Sequence, residues 1–238
     1  MEKSKCICLI LFCVLFTSIY GQNKLIYAAY ISGDMQAWQS VMDGIEPKTN
    51  EEMLALVNYQ YGYTAWCIGQ KKDEEAKKYL KRAQGLVNTL EEKNYQTSTL
   101  WAYKAAFIGF EIGINKLRAP FIGMHSLTYS KESVKLDPFN YFAYLQLGNS
   151  AFYTPKIFGG SKDDAMRYYL KSLLLIEKDE EQLRYNWNYL SLLVTIIDAY
   201  NQLGDYVQAQ VYYAKTLSVE PNFYWVKQKL YPNITKER

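Results

Sequence analysis

Apolar side chains recur every three or four residues along most of the chain, which is the spacing of one face of an α-helix. The clearest run covers residues 187–203, and Gly204 ends it in the place after a helix terminus that glycine favours. A second stripe follows over 206–217, before Pro221. The sustained two-residue alternation typical of β-strands is missing. The pattern therefore predicts an all-α fold.

Helix start signals agree with this periodicity. Thr49 and Glu52, and likewise Ser161 and Asp164, have the spacing of residues that cap the first turn of a helix. These pairs precede the apolar stripes of two predicted helices. We expect helices to begin at both places.

The predicted helices are ordered as pairs joined by a short turn, and a small or marker residue stands near the start of each second helix. These markers are Trp38, Ala76, Ser126, Ala165 and Ala209. The order resembles the tetratricopeptide repeat (TPR) family, with the best copies at 140–177 and 190–221, although a strict period of about 34 residues is not kept. The resemblance implies a right-handed superhelix of about five antiparallel helix pairs with a C-terminal capping helix. It also implies that residues 22–238 form a single domain.

The first 21 residues are predicted to be a secretory signal peptide. Lys3 and Lys5 precede an uncharged apolar run over 6–16, and small or polar residues follow up to Gly21. We expect export to the periplasm of a Gram-negative envelope, with no membrane span after cleavage. Cys67 would then be the only cysteine left, so no intrachain disulfide could form.

Composition and motifs argue against several functions. A net charge of +3 gives no electrostatic footprint for nucleic acid. The chain has a single histidine, His125, and no metalloprotease, Cys-x-x-Cys, nucleophile-elbow or phosphate-loop motif. We expect a non-enzymatic protein without a cofactor or a metal site. Cys67 lies among aromatic and aliphatic residues and is expected to be a small buried hydrophobic residue.

TPR stacks bind partners along a concave face formed by the first helix of each pair. The resemblance carries this role to the following positions of this chain: Phe142, Leu145, Asn149, Tyr153, Asp198, Asn201 and Gln202. Phe158, in the loop between the two helices of a pair, is added to the predicted binding residues. Asn149 and Asp198 occupy equivalent places in their repeats. Neither helix supplies the basic residues with which some TPR proteins grip a C-terminal carboxylate. The mixture of aromatic and amide side chains suits an extended peptide or a modest polar ligand.

The loop over 155–160 narrows the resemblance. Its Pro-x-x-Phe-Gly-Gly sequence is similar to a group of exported bacterial TPR proteins, and the periplasmic TPR component of some TRAP-type transporters has a related loop. One interpretation is structural: Phe158 plugs a hole and the glycines make a tight turn. The other is that the loop shapes a ligand pocket. The predicted function is thus a scaffold or adaptor for an unknown protein or peptide, and the alternative is a small-ligand-binding protein of a transport system.

Overall fold

The computed structural model describes residues 19–230, apart from the side chain of residue 229. Residues 1–18 of the predicted signal segment and residues 231–238 lie outside the described part. The described chain is all-α, as predicted, and its helices pack as consecutive pairs in a helical-repeat stack. No β-strand occurs within 19–230.

Five helix pairs account for nearly all of the described chain, and a short helix, α9, separates the fourth pair from the fifth. The bounds are 19–32 (α1) and Met35–Asp43 (α2), Asn50–Gly69 (α3) and Asp73–Glu92 (α4), Thr97–Ile114 (α5) and Ala119–Leu136 (α6), Tyr141–Tyr153 (α7) and Lys162–Ile176 (α8), Glu180–Leu183 (α9), and Trp187–Leu203 (α10) and Tyr206–Val219 (α11). A π-helical turn over Val226–Leu230 follows the last pair.

The predicted caps are present. The Thr49 side chain accepts a hydrogen bond from the backbone N–H of Glu52, and the Glu52 carboxylate accepts one from the backbone N–H of Thr49. The Ser161 hydroxyl accepts a hydrogen bond from the Asp164 N–H at 3.1 Å. Gly204 ends α10 with a φ of 76°, in the left-handed region where glycine is unstrained. The helix boundaries therefore follow local sequence signals.

Small residues let the two helices of a pair approach closely. Ala76, Ala165 and Ala209 are fully buried in the second helices where the repeat pattern placed them. On α7, a Cβ atom added to Gly148 would lie 2.4 Å from the ring of Tyr169 on α8. The Tyr169 ring thus occupies the space that any larger residue at position 148 would need.

Aromatic rings join one pair to the next. The ring of Phe142 on α7 lies 5.2 Å from that of Tyr61 on α3 and 4.7 Å from that of Tyr103 on α5, between centroids. Rings at these separations bury large apolar areas and gain edge-to-face attraction. Phe142 and Leu145, which the resemblance placed on the binding face, are only 4% and 6% exposed, so they form part of the core.

The first and last helix pairs also meet. Trp187, at the start of α10, packs its ring 5.0 Å from that of Trp38 on α2, between centroids. The Trp187 indole N–H donates a hydrogen bond to the Asn58 side chain at 2.8 Å. Tyr27 donates a hydrogen bond to Glu220, which follows α11, at 2.9 Å. The stack is therefore curved tightly enough to bring its two ends into contact, and part of its inner face is filled by Trp187.

Candidate functional site

A cleft opens between the C-terminal halves of α7 and α10, with α8 behind it. Its cavity volume is about 60 Å³. The residues that line it are Phe152, Tyr153, Tyr169, Thr195, Asp198, Ala199 and Gln202. The wall is thus aromatic on the α7 and α8 side and mainly polar on the α10 side.

Among the described residues that line this cleft, Asp198 is the only acidic one. Its carboxylate is half-buried, and no side chain of the described residues gives it a hydrogen bond or an ion pair. Removal from water raises the pKa of Asp198 to about 6. Its negative charge helps to raise the pKa of Tyr153 and of Tyr30, each of which is raised mainly by burial. An unpaired carboxylate in a cleft with a raised pKa is a recognised mark of a functional site.

A chain of hydrogen bonds holds the aromatic wall in place. The Tyr169 hydroxyl donates to the Asn149 side-chain oxygen at 3.0 Å, and the Asn149 amide donates to the Gln146 side-chain oxygen at 3.1 Å. Asn149 does not line the cleft, but it supports the cleft wall through its hydrogen bond with Tyr169.

The structure brings together three of the predicted binding residues, Tyr153, Asp198 and Gln202, around this one cleft. Asn201 is half-buried on α10, and its side-chain oxygen is buried without a hydrogen-bond partner in the described chain. The cleft was predictable because equivalent positions of successive first helices face one another. The burial of Phe142 and Leu145 was not, because it depends on the tight curvature of the stack.

Phe158 lies apart from the cleft, on the loop between α7 and α8. It is 70% exposed, so the interpretation that it plugs a hole is wrong. The predicted tight turn is confirmed, because Gly159 has a φ of 89° and a Cβ atom on Gly160 would lie 1.7 Å from the Thr154 carbonyl oxygen. The two glycines fold the loop back sharply and leave Phe158 on its outer side.

Phe158, a predicted binding residue, belongs to a group of large apolar side chains whose other members were not predicted from the sequence. We call this group the apolar edge; its members and their exposed fractions are Leu117 81%, Phe121 82%, Met124 64%, Ile157 85% and Phe158 70%. All five lie in or next to the turns that join α5 to α6 and α7 to α8. These turns occupy the same end of the stack because the first helices of successive pairs run parallel. A hydrogen bond of 3.1 Å between Ser126 and Ser150 holds the neighbouring parts of α6 and α7 together.

The apolar edge is bordered by basic residues. Lys116, Lys156 and Lys162 are exposed, and none forms an ion pair with an acidic side chain of the described chain. No Asp or Glu occurs in residues 112–131 or 141–162. The Lys162 ammonium lies 4.2 Å from the centroid of the Phe152 ring, which gives it an attractive cation–π contact. The edge therefore combines exposed apolar surface with positive charge.

Other chemistry finds little support in the described residues. Residues 19–230 contain no group of three or more His, Cys, Asp or Glu side chains arranged to hold a metal ion. His125 is exposed on α6 and forms no hydrogen bond with a described Ser or Asp side chain. Cys67 is fully buried, as expected. Within the same residues, no helix combines the length and the hydropathy that crossing a bilayer requires.

Comparisons with known proteins show similarity in fold to a solved structure. No protein-family model matches the chain, and no curated protein matches it. Among solved structures, the chain is similar to the HusA haemophore from Porphyromonas gingivalis, with a TM-score of 0.58 and 17% sequence identity over 78% of this chain and 90% of that chain. At this identity the likeness concerns the fold alone, and the relation to TPR proteins stays a resemblance.

Proposed function

We propose that this chain is an exported, non-enzymatic binding protein whose ligand is a flat, anionic amphiphile of the porphyrin class, held at the apolar edge. The observation that carries the proposal is that five large apolar side chains, each at least 64% exposed, lie in or next to two turns at one end of the stack, together with three lysines that form no ion pair with a described acidic side chain. Where exposed apolar side chains form a patch, the patch commonly marks a binding site. The structural similarity to a haemophore makes porphyrins the first class to test.

The chemistry of the edge suits such a ligand. A porphyrin presents an apolar ring face, which Phe121, Ile157 and Phe158 could cover, and carboxylates, which Lys116 and Lys156 could pair with. A porphyrin ring lying over Phe121 and Phe158 would bury only part of each side chain. It would therefore contribute about 1–3 kcal/mol to binding, since full burial of one such side chain is worth roughly 1.5–3 kcal/mol. Met124 and His125 are adjacent exposed residues on α6 and belong to the side-chain types that ligate haem iron.

The test is a titration of the protein with metal-free protoporphyrin and with haemin, followed by absorbance and by quenching of tyrosine and tryptophan fluorescence. The double variant Phe121→Ser/Phe158→Ser should bind both porphyrins roughly tenfold more weakly, which corresponds to about 1.4 kcal/mol. The control is Leu174→Ser, because Leu174 is 57% exposed on α8 and does not belong to the edge. Equal affinities of the double variant and the control would refute the proposal.

A separate variant examines the iron. His125→Ala should weaken haemin binding and shift its absorbance maximum while leaving protoporphyrin binding unchanged, if His125 contacts the iron. Equal loss for both porphyrins would show that His125 acts only through packing.

Protein binding is the second candidate function. A peptide lying along the whole inner face could not contact Phe142 and Leu145, because both side chains are buried. Trp187 also fills part of that face. Support for a protein partner comes instead from the cleft, where Tyr153, Asp198 and Gln202 remain accessible around one opening.

A further inference from the structure

The cleft between α7 and α10 has a chemistry opposite to that of the apolar edge. Within residues 19–230, the one charged side chain that lines it is the half-buried Asp198 carboxylate, and no basic side chain of the same residues neutralises it. Removing a carboxylate from water without a partner is unfavourable, so an uncompensated one is expected to meet its counter-charge in a ligand.

The aromatic side of the cleft favours the same kind of ligand. The rings of Phe152 and Tyr153 meet nearly edge to face, with centroids 5.2 Å apart, and the ring of Tyr169 lies 6.2 Å from that of Phe152. Ring faces attract a cation through their quadrupole, most strongly where water is partly excluded. A carboxylate opposite such rings is a recognition site for an ammonium or guanidinium group.

The size of the cleft indicates how much of a ligand enters it. Its cavity volume of about 60 Å³ lies well below the roughly 300–1,000 Å³ typical of pockets that enclose whole drug-sized molecules. Thr195 and Gln202 add a hydroxyl and an amide on the α10 side, and either can accept a hydrogen bond from a bound cation. The cleft therefore suits a single ammonium or guanidinium group better than a complete cofactor.

We propose that this cleft binds the basic side chain of a partner polypeptide, with Asp198 pairing with the charge and the exposed ring of Tyr153 flanking its aliphatic stem. The site is distinct from the apolar edge, although Lys162, which borders that edge, contacts the buried Phe152 ring of the cleft wall, and it would serve the protein-binding candidate function. It also gives binding a pH dependence. The titratable groups facing Asp198 are Tyr30 on α1, Tyr153 on α7 and Tyr169 on α8, none of which carries charge near neutral pH, so Asp198 alone sets the dependence.

The experiment measures binding of short capped peptides by NMR chemical-shift titration. The probes are acetyl-Ala-Lys-Ala-amide and acetyl-Ala-Arg-Ala-amide, the matched neutral peptide with norleucine in place of lysine, and free butylamine. The basic peptides should bind roughly tenfold or more tightly than the norleucine peptide, as expected for a charge-assisted hydrogen bond. Binding should weaken as the pH falls below about 6, because Asp198 takes up a proton.

Three variants locate the effect. Asp198→Asn should abolish the preference for basic peptides, whereas Asp163→Asn, which removes the same charge from an exposed position on α8, should leave it intact. Tyr153→Leu should weaken binding several-fold, because it keeps apolar bulk but removes a ring face. Retained preference in Asp198→Asn, or equal binding of the norleucine peptide by the unaltered protein, would overturn the proposal.

Butylamine tests the ligand class. Affinity for butylamine equal to that for the lysine peptide would contradict a polypeptide partner and indicate a site for free amines. The porphyrin titration serves as a check on folding and independence, since Asp198→Asn should bind porphyrin as the unaltered protein does.

Discussion

The contact between the two ends of the stack makes Gly62→Ala an informative substitution. Gly62 lies within α3, and an added Cβ atom would stand 2.6 Å from the ring of Trp187 and 2.8 Å from the ring of Trp38. Trp38 and Trp187 are 0% and 4% exposed, so neither ring can swing into solvent to make room. An extra methyl group forced into such a site costs about 1–3 kcal/mol.

Helix propensity acts in the opposite direction and must be removed from the comparison. Alanine is favoured over glycine inside a helix by about 1 kcal/mol. Gly85, in the middle of α4, is exposed, and apart from its chain neighbours and its own helix backbone no atom of the described residues lies within 4 Å of an added Cβ. Gly85→Ala therefore carries the propensity gain without the clash, and the difference in unfolding free energy between the two variants isolates the clash.

The assay is urea unfolding followed by circular dichroism at 222 nm, with thermal unfolding as a second measurement. Gly62→Ala should be less stable than Gly85→Ala by about 1–3 kcal/mol. For a chain of this length the corresponding gap in melting temperature is roughly 2–12 °C. If the two variants were equally stable, Trp187 would not press on α3 and the ends of the stack would not meet.

Three further outcomes are expected. Gly148→Ala should be less stable than Gly85→Ala by about 1–3 kcal/mol, because Tyr169 has no room to retreat; equal urea midpoints of the two variants would contradict this packing. Asp198→Asn should stabilise the protein above pH 6 and lose that advantage as the pH falls towards 4. The reason is the raised pKa of Asp198, because between pH 4 and 6 the folded carboxyl keeps its proton while the unfolded one does not. A pH-independent difference between the urea midpoints of the two proteins would refute the assignment. Cys67, whose pKa burial raises to about 12, should escape iodoacetamide in the native protein and react in urea, as read from the mass of its tryptic peptide; native labelling would show that it is accessible.

Much of the fold could be predicted from the sequence because helices are local structures. The three- to four-residue spacing over 187–203 became α10 with the same bounds, and Thr49, Ser161 and Gly204 act at the helix ends as their types suggest. The markers of the second helices also fall where predicted, in α2, α4, α6, α8 and α11. Each of these features depends on residues within a few positions of one another.

The candidate site was less predictable. The facing of Tyr153, Asp198 and Gln202 followed from repeat equivalence, but the lack of a partner for Asp198 depends on every helix packed near it. The apolar edge could have been suspected from the acid-free segments 112–131 and 141–162, which contain Phe121, Ile157 and Phe158. Periodicity alone assigns such residues to the core. Phe158 was predicted as a binding residue, and filling a hole was one of the two interpretations of its loop.

The amino-acid sequence by itself determined the all-α class, the division into helix pairs and most helix ends, because hydrogen bonding and capping within a helix involve near neighbours. Only the tertiary structure decided the curvature of the stack, since that depends on how Trp187 fits against Gly62 and Trp38 from more than a hundred residues away. The same curvature buries Phe142 and Leu145. It also leaves Asp198 in an open cleft. The exposure of each apolar residue to water likewise depends on the packing of the whole stack rather than on its local sequence.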